Sequence, residues 1–205
     1  MLKTGTTCIG IKLKDGVILA ADKRVTTYMV ESDKFTKVFD LTKNIAMTVS
    51  GHVSPAQLFV RHLKAELKLM ELKNERPVRV REAALLLSSW QMSSASGGMI
   101  VGSIMGGFDS KEGAGLFELS PDGSVIDVED YYTNGSGSIF TQSILDSEFK
   151  KTMSEKEALD LLDKCFRASF KKDTASGGGY IARIITKDGI KEVTRKVVKT
   201  ELVAE

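Results

Sequence analysis

The sequence predicts an α+β domain: two antiparallel sheets packed on each other between helical layers, a four-layer α/β/β/α sandwich. Three observations predict it. The hydrophobic patterns run strands, two helices, strands, two helices, strands, with no βαβ alternation to call for a parallel sheet. Three Asp-Gly turns, at Lys14-Asp15-Gly16, Pro121-Asp122-Gly123 and Asp188-Gly189, join apolar runs as hairpins. Finally, Val17 to Ala21 reads as a largely apolar strand and Ile45 to Val49 as a buried one, and a sheet pair between helical layers is the natural packing.

The first strand alternates, with Ile9, Ile11 and Leu13 on one face. Val17 to Ala21 returns as a largely apolar strand ending at Asp22. With a short loop at Asp15-Gly16 the pairing places Asp22 opposite Cys8 or Ile9, within a few residues of Thr6. The stretch from Thr26 to Glu31 is mixed. Lys37 to Leu41 and Ile45 to Val49 then read as strands, the second stopping at Ser50-Gly51. Val60, Leu63, Leu67 and Met70 recur at helical spacing between Pro55 and about Lys73, and Val80, Ala83, Leu87 and Trp90 mark a second helix. The Ser93 to Gly98 segment reads as a loop.

Strands follow at Met99 to Met105, Gly115 to Leu119 and Ser124 to Val128. After Tyr131-Tyr132-Thr133-Asn134 and the loop Gly135-Ser136-Gly137-Ser138, a helix runs from about Ile139 to Phe149 with Ser138 as its expected N-cap. Ser154-Glu155-Lys156-Glu157 is a capping-box pattern opening a fourth helix that ends near Lys172. A glycine-rich turn, 173–179, leads to a last hairpin over Tyr180 to Thr194. The charged tail beyond Arg195 reads as frayed or as a docking arm.

With 205 residues the chain suits one domain, able to bury about 70% of its unfolded surface without a metal or a disulfide. Lys plus Arg number 29 against 27 for Asp plus Glu, a balance that points to neither nucleic acid nor an anionic membrane. Cys8 and Cys165 have no metal-ligand spacing and suit a reducing interior as two buried thiols. The two histidines, His52 and His62, leave few candidates for a Ser-His-Asp triad or a histidine metal site. No apolar run approaches a membrane span and the opening residues are too short for a signal peptide, so the expected location is cytoplasmic.

One junction carries distinctive chemistry. Cleavage between Gly5 and Thr6 would leave Thr6 amino-terminal at a sheet edge. A threonine hydroxyl is a poor nucleophile until a base takes its proton, and a free α-amine, with a pKa of about 7.7–8.0, suits that task. In an amide that nitrogen is no base. Against this stands an ordinary β-rich start in which threonine simply suits a pleated surface.

Six motifs in order resolve the choice: Gly5-Thr6-Thr7-Cys8-Ile9-Gly10, Lys14 to Asp22, Lys37-Val38-Phe39, Met47 to Gly51, Gly135-Ser136-Gly137-Ser138, and Asp173-Thr174-Ala175-Ser176-Gly177-Gly178. Over nearly its whole length the chain resembles a β subunit of the 20S proteasome, archaeal type. The resemblance implies the N-terminal-nucleophile hydrolase fold and a threonine endopeptidase that degrades unfolded polypeptides without metal or organic cofactor. It implies a short propeptide, residues 1–5, removed autocatalytically from a single catalytic domain, residues 6–205. Implied partners are other β subunits in a heptameric ring, a ring of α subunits and, indirectly, an ATP-dependent unfoldase.

By position, Thr6 matches the family nucleophile, Asp22 and Lys37 its charged partners, and Gly51 its oxyanion donor. Ser136, Asp173 and Ser176 match its supporting hydroxyls and carboxylate. A Lys37 ammonium paired with Asp22 would ready the Thr6 hydroxyl, though a strand-end lysine can also be merely superficial. Gly51 could expose a backbone N–H to an oxyanion, or just end a strand; the serines could support the amine or cap loops. Cys8 departs from the threonine many relatives carry. The matched pocket positions, Val25, Phe35, Val49 and Val53, are apolar and imply cleavage after large hydrophobic residues. Two other readings stay open: a latent, structural ring subunit that keeps its leader, and the bacterial two-component relative, which the longer chain disfavours.

Overall fold

The structure is a computed structural model that describes residues 5–26, 29–95 and 100–195. The expected leader, apart from Gly5, the tail beyond Arg195 and the Ser96–Gly98 part of the expected loop lie outside the described residues.

The chain forms β1 (Cys8–Leu13), β2 (Gly16–Asp22), β3 (Val25–Thr26), β4 (Val30–Ser32), β5 (Val38–Asp40) and β6 (Ile45–Gly51), then α1 (Val53–Asn74) and α2 (Val80–Ala95). It continues through β7 (Val101–Asp109), β8 (Gly113–Leu119), β9 (Val125–Asp127), β10 (Tyr131–Asn134), α3 (Ser138–Glu148), α4 (Glu155–Lys172), β11 (Tyr180–Thr186) and β12 (Gly189–Arg195). One sheet runs β10-β1-β2-β11-β12, another β5-β6-β7-β8-β9, and β3-β4 is a small ribbon. All pairings among the described residues are antiparallel. This is the α+β class that the hairpin turns predict.

Strand alternation divides the apolar residues among three clusters. Ile9 and Ile11 of β1, with Ile18 and Ala20 of β2, pack on Leu161, Leu162, Cys165 and Phe166 of α4. The opposite face of β2, Val17, Leu19 and Ala21, meets Ala46, Ile104 and Leu116 of the other sheet. Met47, Met105 and Phe117, on that sheet's far face, pack with Leu63 and Leu67 of α1 and Leu87 of α2. Every residue of β2 is buried, as a strand covered on both faces must be. Truncating one of the fully buried leucines to alanine in such a core costs about 2–5 kcal/mol.

Local details differ from expectation at several places. The β1–β2 hairpin pairs Cys8 with Ala21, so Asp22 lies opposite Thr7, its N–H donating to the Thr7 carbonyl at 3.1 Å. The register is shifted by one residue from the expected one, because Leu13 pairs with Gly16 and the two-residue loop is Lys14-Asp15. Helix α2 runs five residues beyond Trp90, through serines that a low-complexity reading takes for loop. Helix α1 starts at Val53, which puts Pro55 in the first turn where its missing N–H costs nothing. Ser138 is not the cap of α3: Gly137 holds that position, and the Ser138 hydroxyl turns back to donate to the Gly135 carbonyl at 2.8 Å. At α4 the expected capping box is present in full, Ser154 and Glu157 each bonding the other's backbone N–H. Both cysteines are free and buried, and no described helix is long and apolar enough to cross a membrane.

Candidate active site

Six chain segments converge at one end of the sheets. Antiparallel pairing of β1 with β2 brings Asp22 beside Thr7, and pairing of β10 with β1 sets Asn134 opposite Cys8, placing the Gly135-Ser136-Gly137 loop over Thr6. Tyr180 of β11 pairs with Asp22, so the turn that precedes it, with Asp173 and Ser176, arrives at the same place. Lys37 precedes β5 and is tied to β6 by its carbonyl, which accepts from Val49 N at 2.9 Å. Gly51 ends β6.

The Lys37 Nζ donates to three oxygens: Asp22 Oδ1 at 2.7 Å, Thr6 Oγ1 at 3.0 Å and the Gly5 carbonyl at 3.2 Å. Three acceptors match the three protons of an ammonium. Asp22 is 0% and Lys37 5% exposed. Asp22 Oδ1 also accepts from Thr7 N at 3.0 Å, and Oδ2 accepts from the backbone N–H of Arg24 and of Gly177, each at 3.0 Å. Burial raises the Asp22 carboxyl above its ordinary value, and the Lys37 charge and the N–H donors pull against that rise. All four partners are donors, so the ionised carboxylate is the form the surroundings complete.

The Thr6 hydroxyl donates to the Gly5 carbonyl at 2.7 Å. Thr6 N donates to Ser136 Oγ at 3.1 Å, Ser136 Oγ donates to Asp173 Oδ2 at 2.6 Å, and Ser176 Oγ donates to the same oxygen at 2.7 Å. Gly5 is held where no side chain fits: a Cβ there would lie 1.9 Å from Ala175 Cβ. Gly51 has φ +100°, and a Cβ there would stand 2.3 Å from the Ile100 carbonyl oxygen, so the position calls for glycine twice over.

The structure therefore brings Thr6, Asp22, Lys37, Ser136, Asp173 and Ser176 into one bonded network. Gly51 borders a small cavity with Gly5, Thr6 and Lys37, and the same cavity is walled by Val25, Phe35, Val49 and Val53. It measures about 20 Å³, room for a single water. Thr7 and Ser169 also join the network and have no part in the six motifs' expected roles. Ser169 had a visible signal: it sits on the buried stripe of α4, after Leu162, Cys165 and Phe166, where a hydroxyl needs a partner. Arg24, which none of the six motifs contains, holds Asp33 at 2.8 Å through its guanidinium and bonds the Thr174 carbonyl at 3.4 Å, bracing the turn that carries Asp173.

Chemically, the arrangement sets a hydroxyl beside a cation and against the carbonyl of the preceding residue, in a site nearly shut off from water. Among the described residues no three or more His, Cys, Asp or Glu side chains gather as a metal site would need.

The proteasome subunit family matches residues 2–185. The chain is 36% identical over 188 residues to the proteasome subunit beta of Methanocaldococcus vulcanius, covering 91% of this chain and 84% of that one. It is 35% identical over 189 residues to the protein of the same name from Haloferax volcanii, covering 92% and 76%. To that of Methanoregula boonei it is 32% identical over 200 residues, covering 97% and 93%.

Proposed function

The chain belongs to the proteasome subunit family, and from that premise we propose that it is a threonine endopeptidase subunit of the proteasome core, made as a precursor and acting on unfolded polypeptides. The observation that carries the proposal is the position of Thr6 Oγ1, 3.0 Å from Lys37 Nζ and 2.7 Å from the Gly5 carbonyl oxygen. The catalytic domain is residues 6–205, layered helices, sheet, sheet, helices, with residues 1–5 as propeptide.

In the first step Thr6 Oγ attacks the Gly5 carbonyl carbon. The new C–O bond forms as the Gly5–Thr6 C–N bond breaks, and the nitrogen takes the proton that the hydroxyl loses. Lys37, bonded to the same carbonyl oxygen, steadies its developing charge. Water then hydrolyses the ester, releasing the leader as a carboxylate and leaving Thr6 with a free α-amine.

In the mature site that amine takes the Thr6 hydroxyl proton, and Oγ attacks a substrate carbonyl. Asp22 holds Lys37 in place, the Gly51 N–H supports the oxyanion, and Ser136, Asp173 and Ser176 hold the amine. The amine passes its proton to the leaving nitrogen, and water hydrolyses the acyl-enzyme. Val25, Phe35, Val49 and Val53 receive a large hydrophobic side chain before the scissile bond. The small cavity fits this because Gly5 is one of its walls, and losing the leader widens it. The working form is a cytoplasmic heptameric β ring stacked on α rings, fed by an ATP-dependent unfoldase.

The test is co-assembly with α subunits and hydrolysis of a fluorogenic peptide panel, with Thr6→Ala as control. Cleavage after large hydrophobic residues that Thr6→Ala abolishes is the expected result. A strict preference for acidic or basic residues removes the pocket assignment. No hydrolysis by fully assembled particles leaves the chain a latent structural ring subunit.

A further inference from the structure

Behind Thr6 the hydroxyls continue. Thr7 Oγ1 lies 2.8 Å from Ser176 Oγ and 2.5 Å from Ser169 Oγ, and all three side chains are 0% exposed. Distances alone do not say which atom donates, but the proton count does. The single proton of Ser176 goes to Asp173 Oδ2, so Thr7 must donate to Ser176. Its proton thus used, Thr7 can only accept from Ser169. From the other side Thr6 N donates to Ser136, and Ser136 donates to Asp173. Every proton in the row points at one carboxylate.

We propose that Thr7 and Ser169 are positioning residues of the Thr6 site, the far end of a one-way hydroxyl chain that fixes Asp173 and, through it, the Thr6 amine. This rests on the functional reading above. Thr7 is the joint between the two halves of the site: its N–H binds the Asp22 carboxylate that holds Lys37, and its hydroxyl binds the chain that ends at Asp173. Ser169 reaches the same place twice, its hydroxyl on Thr7 and its carbonyl accepting from Asp173 N at 2.7 Å. These hydroxyls are closed off from solvent, and Gly137 packs directly on two of them. A Cβ on Gly137 would stand 1.9 Å from Thr7 Oγ1 and 2.4 Å from Ser169 Oγ.

The consequence for the reaction follows from charge. When the amine of mature Thr6 takes the hydroxyl proton it becomes an ammonium, which Asp173 stabilises through Ser136. Lys37 is the opposing cation nearby, and Asp22 neutralises it. If Asp173 is less firmly held, the ammonium is less favoured and the amine's pKa falls. The base form is the active one, so the acidic limb of the rate profile moves to lower pH as turnover drops.

The experiment uses the particle assembled with α subunits and compares Thr7→Val, Thr7→Ser and Ser169→Ala by kcat, KM and the pH dependence of kcat/KM. Thr7→Val, of the same shape without the hydroxyl, is expected to lower kcat about tenfold with KM little changed and the acidic limb displaced downward. Ser169→Ala is expected to do the same to a smaller extent, and Thr7→Ser to restore both. Wild-type kcat and limb in Thr7→Val and Ser169→Ala overturn the proposal, as does a Thr7→Ser variant as impaired as Thr7→Val. If Thr7→Val does not assemble, Ser169→Ala and Thr7→Ser decide by the same criteria. An inactive wild-type particle removes the functional reading, and this inference with it; an active one with unaffected variants removes only the inference.

Discussion

Lys37 Nζ stands 2.7 Å from Asp22 Oδ1, with both side chains essentially out of water. Such a pair is a poor source of net stability, since burying two charges costs about what their attraction returns, yet breaking it strands a charge. Lys37→Met is therefore expected to destabilise the fold by about 3–5 kcal/mol, and Asp22→Asn combined with Lys37→Met by clearly less. Urea unfolding of wild type, Lys37→Met, Asp22→Asn and the double variant checks this. A double-variant loss equal to the sum of the losses in Lys37→Met and Asp22→Asn would mean the pair is not coupled.

Gly5 has no room for a side chain beside Ala175 and Ser136. Gly5→Ala is expected to push the carbonyl away from Thr6 Oγ1 and slow leader removal, read as persistence of the full-length mass after assembly. Adding Ala175→Gly, which removes the closest clash, is expected to recover part of the rate. Processing of Gly5→Ala at the wild-type rate would contradict the packing argument.

Glu82, in the first turn of α2, is bound by both guanidinium nitrogens of Arg76 at 2.6 and 2.9 Å and by the Arg79 N–H at 3.0 Å. The Arg76 hydrogen bonds lead in lowering its carboxyl from 4.5 to about 2. A carboxyl lowered on folding stabilises fully above its unfolded value and loses that contribution as pH falls through the folded one. Wild type is thus expected to lose stability relative to Glu82→Gln between pH 4.5 and about 2. The pair is partly exposed, so the loss is about 1 kcal/mol or less. A wild-type minus variant difference independent of pH would contradict it.

Burial pushes the Cys8 and Cys165 thiols up to about 12. Neither is expected to react with a thiol-directed reagent in the folded chain at mildly alkaline pH, and both are expected to react in denaturant. Rapid labelling of the native chain would contradict their placement.

Much of this was legible because local rules and long-range pairing agree. The Asp-Gly turn after Lys14 and the apolar run after it place Asp22 near Thr6 from sequence alone, and the shift of one residue arises because the two-residue loop falls at Lys14-Asp15, with Leu13 paired to Gly16. The Ser154 capping box was visible because both partners lie within four residues. The Ser138 cap misled because the preceding Gly135-Ser136-Gly137 turn offers that hydroxyl a nearer carbonyl. Thr7 and Ser169 are 162 residues apart, and no periodicity or spacing announces a contact of that span. Only the pairing of β1, β2 and β11 under α4 makes them neighbours.

The most direct test of the central claim is the intact mass of the chain recovered from assembled particles that hydrolyse peptides. Loss of residues 1–5, so that the chain begins at Thr6, is the expected result, with Thr6→Ala as the only β type retaining full length and showing no hydrolysis. Active particles in which every copy still carries its leader would contradict the claim, because the Thr6 nitrogen would then be an amide and no base.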